Sequence, residues 1–245
     1  MRAALIRTSF FALLLSGASC SGAAMDTSKA FPADTRAAEL AAAAAQGDGG
    51  RVDTLVRQGA DPNAGGDKGV NPLQFALLAQ NRDGMRALLD AGADPDRPGL
   101  GGASAMHMAA VADDPVYLRL LLEHGGDPNA RHGQTGATPL AGAAGPRTDA
   151  QFRMLLEAGA DPDLADRSGN TALHAAAMIN AGAHLRLLLE RGTDPQAKNA
   201  QGETFQPYYF RTDDALLNAQ ARDDRETVRR WLREHAIPLE AGSDG

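Results

Sequence analysis

The chain has 245 residues, 43% of them hydrophobic but only 4% aromatic, and a formal charge of −7 at pH 7. That apolar share suffices for a core, which the low aromatic content restricts to mostly Leu, Ala, Val and Met packed between helices. An acidic balance argues against a nucleic-acid backbone or an anionic lipid surface as the main partner; its plain use is a solvated surface that keeps the protein soluble.

Residues 1–24 carry the three parts of a secretory signal peptide: Arg2 and Arg7, an apolar run from Phe10 to Leu15, then small residues. The run is too short to span a bilayer as a mature helix, so the chain is expected to be exported to the periplasm. Arg2 and Arg7 are the leader's only charges, and without them the balance falls to −9. Gly17-Ala18-Ser19-Cys20 resembles the bacterial lipoprotein box, with Gly17 where that box usually carries leucine. The resemblance implies acylation of Cys20 and an N-terminal membrane anchor; cleavage after Ala24 with soluble export is the rival reading. Cys20 is the only cysteine, which leaves the folded part without a thiol, as suits an oxidising compartment. Residues 21–35 read as a flexible tether.

From Thr35 the chain repeats itself. Gly92-Ala93-Asp94-Pro95-Asp96 recurs as Gly59-Ala60-Asp61-Pro62-Asn63, Gly125-Gly126-Asp127-Pro128-Asn129, Gly159-Ala160-Asp161-Pro162-Asp163 and Gly192-Thr193-Asp194-Pro195-Gln196, the leading glycines standing 33, 33, 34 and 33 residues apart. Gly69, Gly102, Gly136, Gly169 and Gly202 form a second ladder, spaced by 33, 34, 33 and 33. Two ladders with one period define a repeat array. Units are expected at 35–64, 66–97, 98–130, 131–164, 165–197 and 198–241, within a repeat domain at 36–241 whose end units are caps.

The first unit lacks a turn and enters as an alanine-rich helix, Ala37 to Gln46. In a full unit, turn chemistry such as Asp166-Arg167-Ser168-Gly169-Asn170 leads to a capping hydroxyl, Thr171, and a short helix of small residues. A second helix follows with apolar residues at i, i+3 and i+4: Val52, Leu55, Val56; Met85, Leu88, Leu89; Leu118, Leu121, Leu122; Phe152, Leu155, Leu156; Leu185, Leu188, Leu189; and Val228, Trp231, Leu232. A glycine such as Gly192 ends it in the left-handed conformation, and Pro195 forbids extension. No unit buries its stripe alone, so neighbours stabilise one another.

The last unit departs from this pattern. Pro195 to its counterpart Pro238 is 43 residues, and the additional ones fall around Pro207 to Leu217, with Tyr208-Tyr209-Phe210 among them. A helix from Glu226 to Glu234 restores the stripe and is expected to turn Arg225, Arg229, Arg230 and Arg233 to a wet outer face.

Thr171-Ala172-Leu173-His174 with Ala176-Ala177, Thr138-Pro139-Leu140, the Leu-rich second helix and the closing Gly-Ala-Asp together resemble the ankyrin repeat, over about Thr35 to Ala241. The resemblance implies an all-α solenoid of stacked helix-turn-helix units with turn fingers, about six units counting two caps. It further implies a non-catalytic, monomeric module that holds a protein partner in a concave groove formed by the turn tips and the exposed face of the first helices. Carried over by position, the groove residues are Leu78, Val111, Met178 and Ile179 at the helix ends, and Asp67, Lys68, Arg167, Asn170 and Glu203 at the tips. Apolar side chains at such open positions mark an interface, unless they pack under the adjacent turn. Tyr208, Tyr209 and Phe210 pose the same choice, anchors for a partner or a plug over the end of the stack.

His107 and His174 hold one position in two units, where the family implies a structural hydrogen bond at the helix start. His124, His132, His184 and His235 show no ligand spacing, and Asp113-Asp114, Asp213-Asp214 and Asp223-Asp224 each lie beside an expected helix start, where carboxylates offset the dipole. No phosphate loop, nucleophile elbow or zinc spacing is present, so no cofactor, metal or enzymatic activity is expected. Within the class of envelope binding proteins two roles fit: an immunity protein that neutralises an exported toxin, or a helper of a periplasmic enzyme.

Overall fold

The computed structural model describes residues 26–240, all helices and loops. After a single turn, α1 (Thr27–Ala30), helices come in pairs: α2 (Thr35–Gln46) with α3 (Gly49–Arg57), α4 (Pro72–Leu78) with α5 (Arg82–Asp90), and α6 (Ala105–Ala110) with α7 (Val116–Glu123). The second half continues with α8 (Pro139–Gly142) and α9 (Asp149–Glu157), α10 (Ala172–Met178) and α11 (Gly182–Glu190), and α12 (Gln206–Tyr209) with α13 (Ala219–Glu234). First helices pack on first helices, α2 on α4 and so on to α10 on α12, while second helices form the other layer.

The stripe lies between those layers. Val52, Met85, Leu118, Phe152, Leu185 and Val228 are wholly buried, one per unit, and the main core is continuous from Leu40 to Leu232. Small residues set the helix spacing: a Cβ on Gly84 would stand 1.7 Å from the Ala44 carbonyl oxygen, so α5 starts against the end of α2 only because that side chain is missing. Both glycine ladders have positive φ, between +70° and +90°, at every rung from Gly59 to Gly202, the left-handed conformation that ends each second helix and bends each finger.

Hydrogen bonds run along the stack as well as through it. Successive fingers are joined by Gly133 N–H to the Gly102 carbonyl, Arg167 N–H to Thr135 and Ala200 N–H to Ser168. At the opposite edge the residue after each Asp-Pro accepts from the amide of the next repeat's aspartate: Asn63 from Asp94, Asp96 from Asp127, Asn129 from Asp161 and Asp163 from Asp194. The Gly-Ala-Asp-Pro turn is thus a staircase of side-chain-to-backbone contacts.

Four expectations are corrected. Part of the 21–35 tether is ordered: Asp26 caps α1, and Phe31 is buried against Phe75, Ala37, Ala38, Ala41, Ala64 and Val70, because an aromatic ring next to an alanine-rich helix has apolar surface to cover. The signal peptide and Cys20 lie outside the described residues. The last helix begins at Ala219, capped by Asn218, which puts Asp223 and Asp224 inside it instead of at its start. Arg225 and Arg229 are not on a wet face; they are buried, 1% and 7% exposed, beneath the inserted segment. Tyr209 and Phe210 are likewise buried, so these two close the end of the stack and are not surface anchors.

Candidate functional site: the groove of first helices and fingers

Three of the first helices, α4, α6 and α10, are each locked to the finger of the next unit by one side chain. The amide of Thr171 donates to His174 Nδ1 at 3.2 Å, so Nδ1 accepts and Nε2 carries the hydrogen that it directs at the Glu203 carbonyl, 3.1 Å away. His107 repeats this with Ser104 and the Ala137 carbonyl, and burial holds its imidazole below the usual pKa, in keeping with a neutral ring. Gln74 does the same work in the second unit, Oε1 accepting from Leu100 and Nε2 donating to Ala103 at 2.7 Å. These residues are scaffold, as the resemblance implies. His184 is a further tie, bridging the Ala144 carbonyl and the Asp149 carboxylate while stacked on Phe152.

With the fingers fixed, the ends of the first helices stay open. Leu78 is 36% exposed, Met178 49% and Ile179 53%; Val111 is half-buried at the equivalent place. Asp67, Lys68, Arg167 and Glu203 are exposed on the finger tips. Asn170 is half-buried, its side-chain oxygen accepting from Asn199. Arg167 is committed to the previous finger, donating to the Gln134 and Gly133 carbonyls at 2.6 and 2.9 Å. Tyr208 is half-buried, its hydroxyl between Asn199 and the Glu203 carboxylate, and that carboxylate, more than burial, raises its pKa.

Three features of the groove escaped the sequence reading. Phe31 fills its N-terminal end, in one cluster with Val70 and Ala64 and with residues of the first helices α2 and α4. Leu216, 80% exposed, projects from the insertion. The fourth unit has almost no first helix, α8 stopping at Gly142 and followed by Gly145-Pro146. Among the described residues no three His, Cys, Asp or Glu side chains gather as metal ligands, and no helix is long and apolar enough to cross a membrane.

A family profile for ankyrin repeats in three copies matches residues 40–132 and 119–199, well over half of the chain. The chain belongs to the ankyrin-repeat family. Among solved structures, this ankyrin-repeat chain is similar to the ankyrin repeat domain of Bcl-3, described as a unique member of the IkappaB protein family, with a TM-score of 0.68 and 26% identity over 81% of this chain and 86% of that one. Among curated proteins it is 49% identical over 105 residues to Protein PhlB of Serratia liquefaciens, a match covering 43% of this chain and 46% of PhlB. The aligned part therefore spans less than half of that relative. Ankyrin repeats generally serve as binding scaffolds for other proteins.

Proposed function

We propose that this chain is a non-catalytic protein-binding scaffold of the bacterial cell envelope, which captures one protein against the floor of its groove. The observation that carries this reading is the exposure of Met178 and Ile179, and to a lesser degree Leu78, at the ends of the first helices; apolar side chains left in water gain free energy when a partner covers them. The leader at residues 1–24 supports export, the Cys20 motif supports an acylated anchor in the periplasm, and the Serratia relative supports a bacterial setting. Neutralising a toxin and assisting a periplasmic enzyme both fit such a scaffold, and the identity of the captured protein separates them.

The test is site-specific photocrosslinking in living cells. A crosslinker in place of Met178 is expected to trap one discrete protein, and the same group in place of Arg119, exposed on the layer of second helices, is expected to trap none. Equal trapping from both faces would count against the groove. Palmitate labelling that disappears in Cys20→Ser is the companion result for the anchor.

A further inference from the structure

The N-terminal end of the groove differs from the rest in that the chain itself occupies it. The first unit has no finger of its own, and residues 26–33 pack against the finger of the second unit instead. A Cβ on Gly66 would stand 2.3 Å from the Ala30 carbonyl oxygen and 2.8 Å from the Phe31 ring. The φ of Gly66 is −94°, open to any residue, so its missing side chain serves the close approach of a second backbone and not its own conformation.

Phe31 alone is buried among residues 26–34, at 2% exposed. Its ring sits 6.4 Å from that of Phe75, tilted by 60°, in one cluster with Val70 and the small side chains of Ala37, Ala38 and Ala41. This cluster is separate from the main core that runs from Leu40 to Leu232, so emptying it leaves the stripe between the helix layers packed.

Apolar contact alone holds the segment there. Among the described residues, every hydrogen bond of residues 26–33 stays within 26–34: the Asp26 carboxylate accepts from Ser28 and Lys29, and the carbonyls of Asp26 and Thr27 accept from Ala30 and Phe31. Later fingers are instead bonded backbone to backbone, Gly133 N–H to Gly102 and Arg167 N–H to Thr135. A socket filled by one ring without a hydrogen bond is one that another ring can take.

Resting on the reading of the chain as a groove binder, we propose that the Phe31 socket is the seat for an aromatic anchor of the partner, and that residues 26–34 are a built-in competitor for it. The occupant in place defines the chemistry required: a turn of helix ending in an aromatic residue, its backbone passing over Gly66 and its polar side chains turned outward. Pro32 and Ala33, both exposed, join the competitor to α2, and α2 keeps its own cap, Asp34, when the competitor leaves. Self-occupancy lowers the partner's apparent affinity by the fraction of molecules with an open socket, and covers apolar surface while no partner is present.

The probe is a fluorescent peptide with the sequence of residues 26–34, added to the full chain; the same peptide with alanine in place of the phenylalanine is its control. Phe31→Ala, which empties the socket, is expected to bind the phenylalanine peptide about tenfold or more tightly than the wild type does, and the control not at all. Excess peptide on the wild type is expected to accelerate hydrogen exchange at the Ala30 and Phe31 amides while α4 stays protected, a response that a permanent cap would not give. Gly66→Ala, whose Cβ takes the space of segment and peptide alike, is expected to free the segment and bind neither peptide. Phe31→Ala that binds no peptide, binds both alike or loses protection of α2 would overturn the proposal, as would wild-type exchange unmoved by excess peptide. Crosslinking from Met178 is independent of these readouts: its success beside their failure strikes the socket alone, and its failure strikes the groove.

Discussion

Arg225 donates to the carbonyl of Tyr209 at 2.7 Å and stacks its guanidinium 5.4 Å from the centre of the same residue's ring. One side chain thereby satisfies the end of α12 and covers the aromatic plug that closes the stack. The same guanidinium reaches Asp214 at 2.6 Å, and Asp214 is shared with Arg229 at 2.8 Å. The insertion that breaks the 33-residue period is therefore held from below by α13. Removing Arg225 leaves a buried carbonyl unpaired and the ring uncovered, so Arg225→Ala is expected to cost about 2–4 kcal/mol. In a chain of this size that lowers the melting temperature by about 5–10 °C, with hydrogen exchange accelerating first in α13. Unchanged protection there would mean that the insertion is held by other contacts.

The same network gives a pH dependence of known sign. The hydrogen bond from Arg229, then that from Arg225, holds the Asp214 carboxyl below the usual carboxylate range, against an opposing effect of burial. A carboxyl whose folded pKa is lowered contributes stability above its unfolded pKa of about 3.9, and that contribution is lost as pH falls through the folded value. Acid titration below about pH 4 is expected to loosen α13 in the wild type. In Asp214→Asn this step disappears and α13 is already less protected at neutral pH.

The histidines at the helix starts are expected to be replaceable by glutamine and not by alanine. Gln74 performs in the second unit what His174 does in the fifth, its side chain accepting from a backbone amide and donating to a carbonyl of the next finger. His174→Ala leaves the Glu203 carbonyl and the Thr171 amide without that partner in a buried site, at about 2–4 kcal/mol; His174→Gln is expected to stay within about 1 kcal/mol of the wild type. Thermal melting of the two variants separates a hydrogen-bond role from a role of the imidazole itself.

Much of this architecture was legible because repetition makes each position a comparison with four others. The two glycine ladders, the apolar triplets and the equivalence of His107 and His174 all follow from one period. What stayed hidden lies where the period gives no comparison. Arg225 occupies a helix face that in an isolated unit would be wet, and only the insertion, with no counterpart elsewhere, buries it. Phe31 precedes the first unit and fills a socket that its own stretch of sequence does not announce. Tyr208-Tyr209-Phe210 could be divided only once Tyr209 was seen against Gly182, whose missing Cβ would stand 2.5 Å from the Tyr209 hydroxyl.

The staircase of Asp-Pro turns contains a natural comparison. Asn63 and Asn129 accept from the next repeat's amide and also donate from Nδ2 to the carbonyls of Gly92 and Gly159. Asp96 accepts from Asp127 but has no hydrogen to donate, and burial raises its carboxyl above the usual pKa. A raised folded pKa means that the ionised carboxylate opposes folding at neutral pH, a penalty that fades as pH falls. Asp96→Asn is therefore expected to raise the melting temperature by about 2–4 °C at pH 7 and by less in acid. A lower melting temperature at pH 7 would show that the carboxylate serves the native turn.

The central claim is that the floor of the groove binds a protein, and retention from an envelope extract of the source cells tests it most directly. The full chain, immobilised beside a Met178→Asp with Ile179→Asp variant, is to be challenged with that extract and the retained proteins identified by mass spectrometry. Both residues are about half exposed, so the variant is expected to melt within about 2 °C of the wild type, while the protein captured by the wild type is lost. Capture of that protein by both chains, with melting equally preserved, would contradict the account.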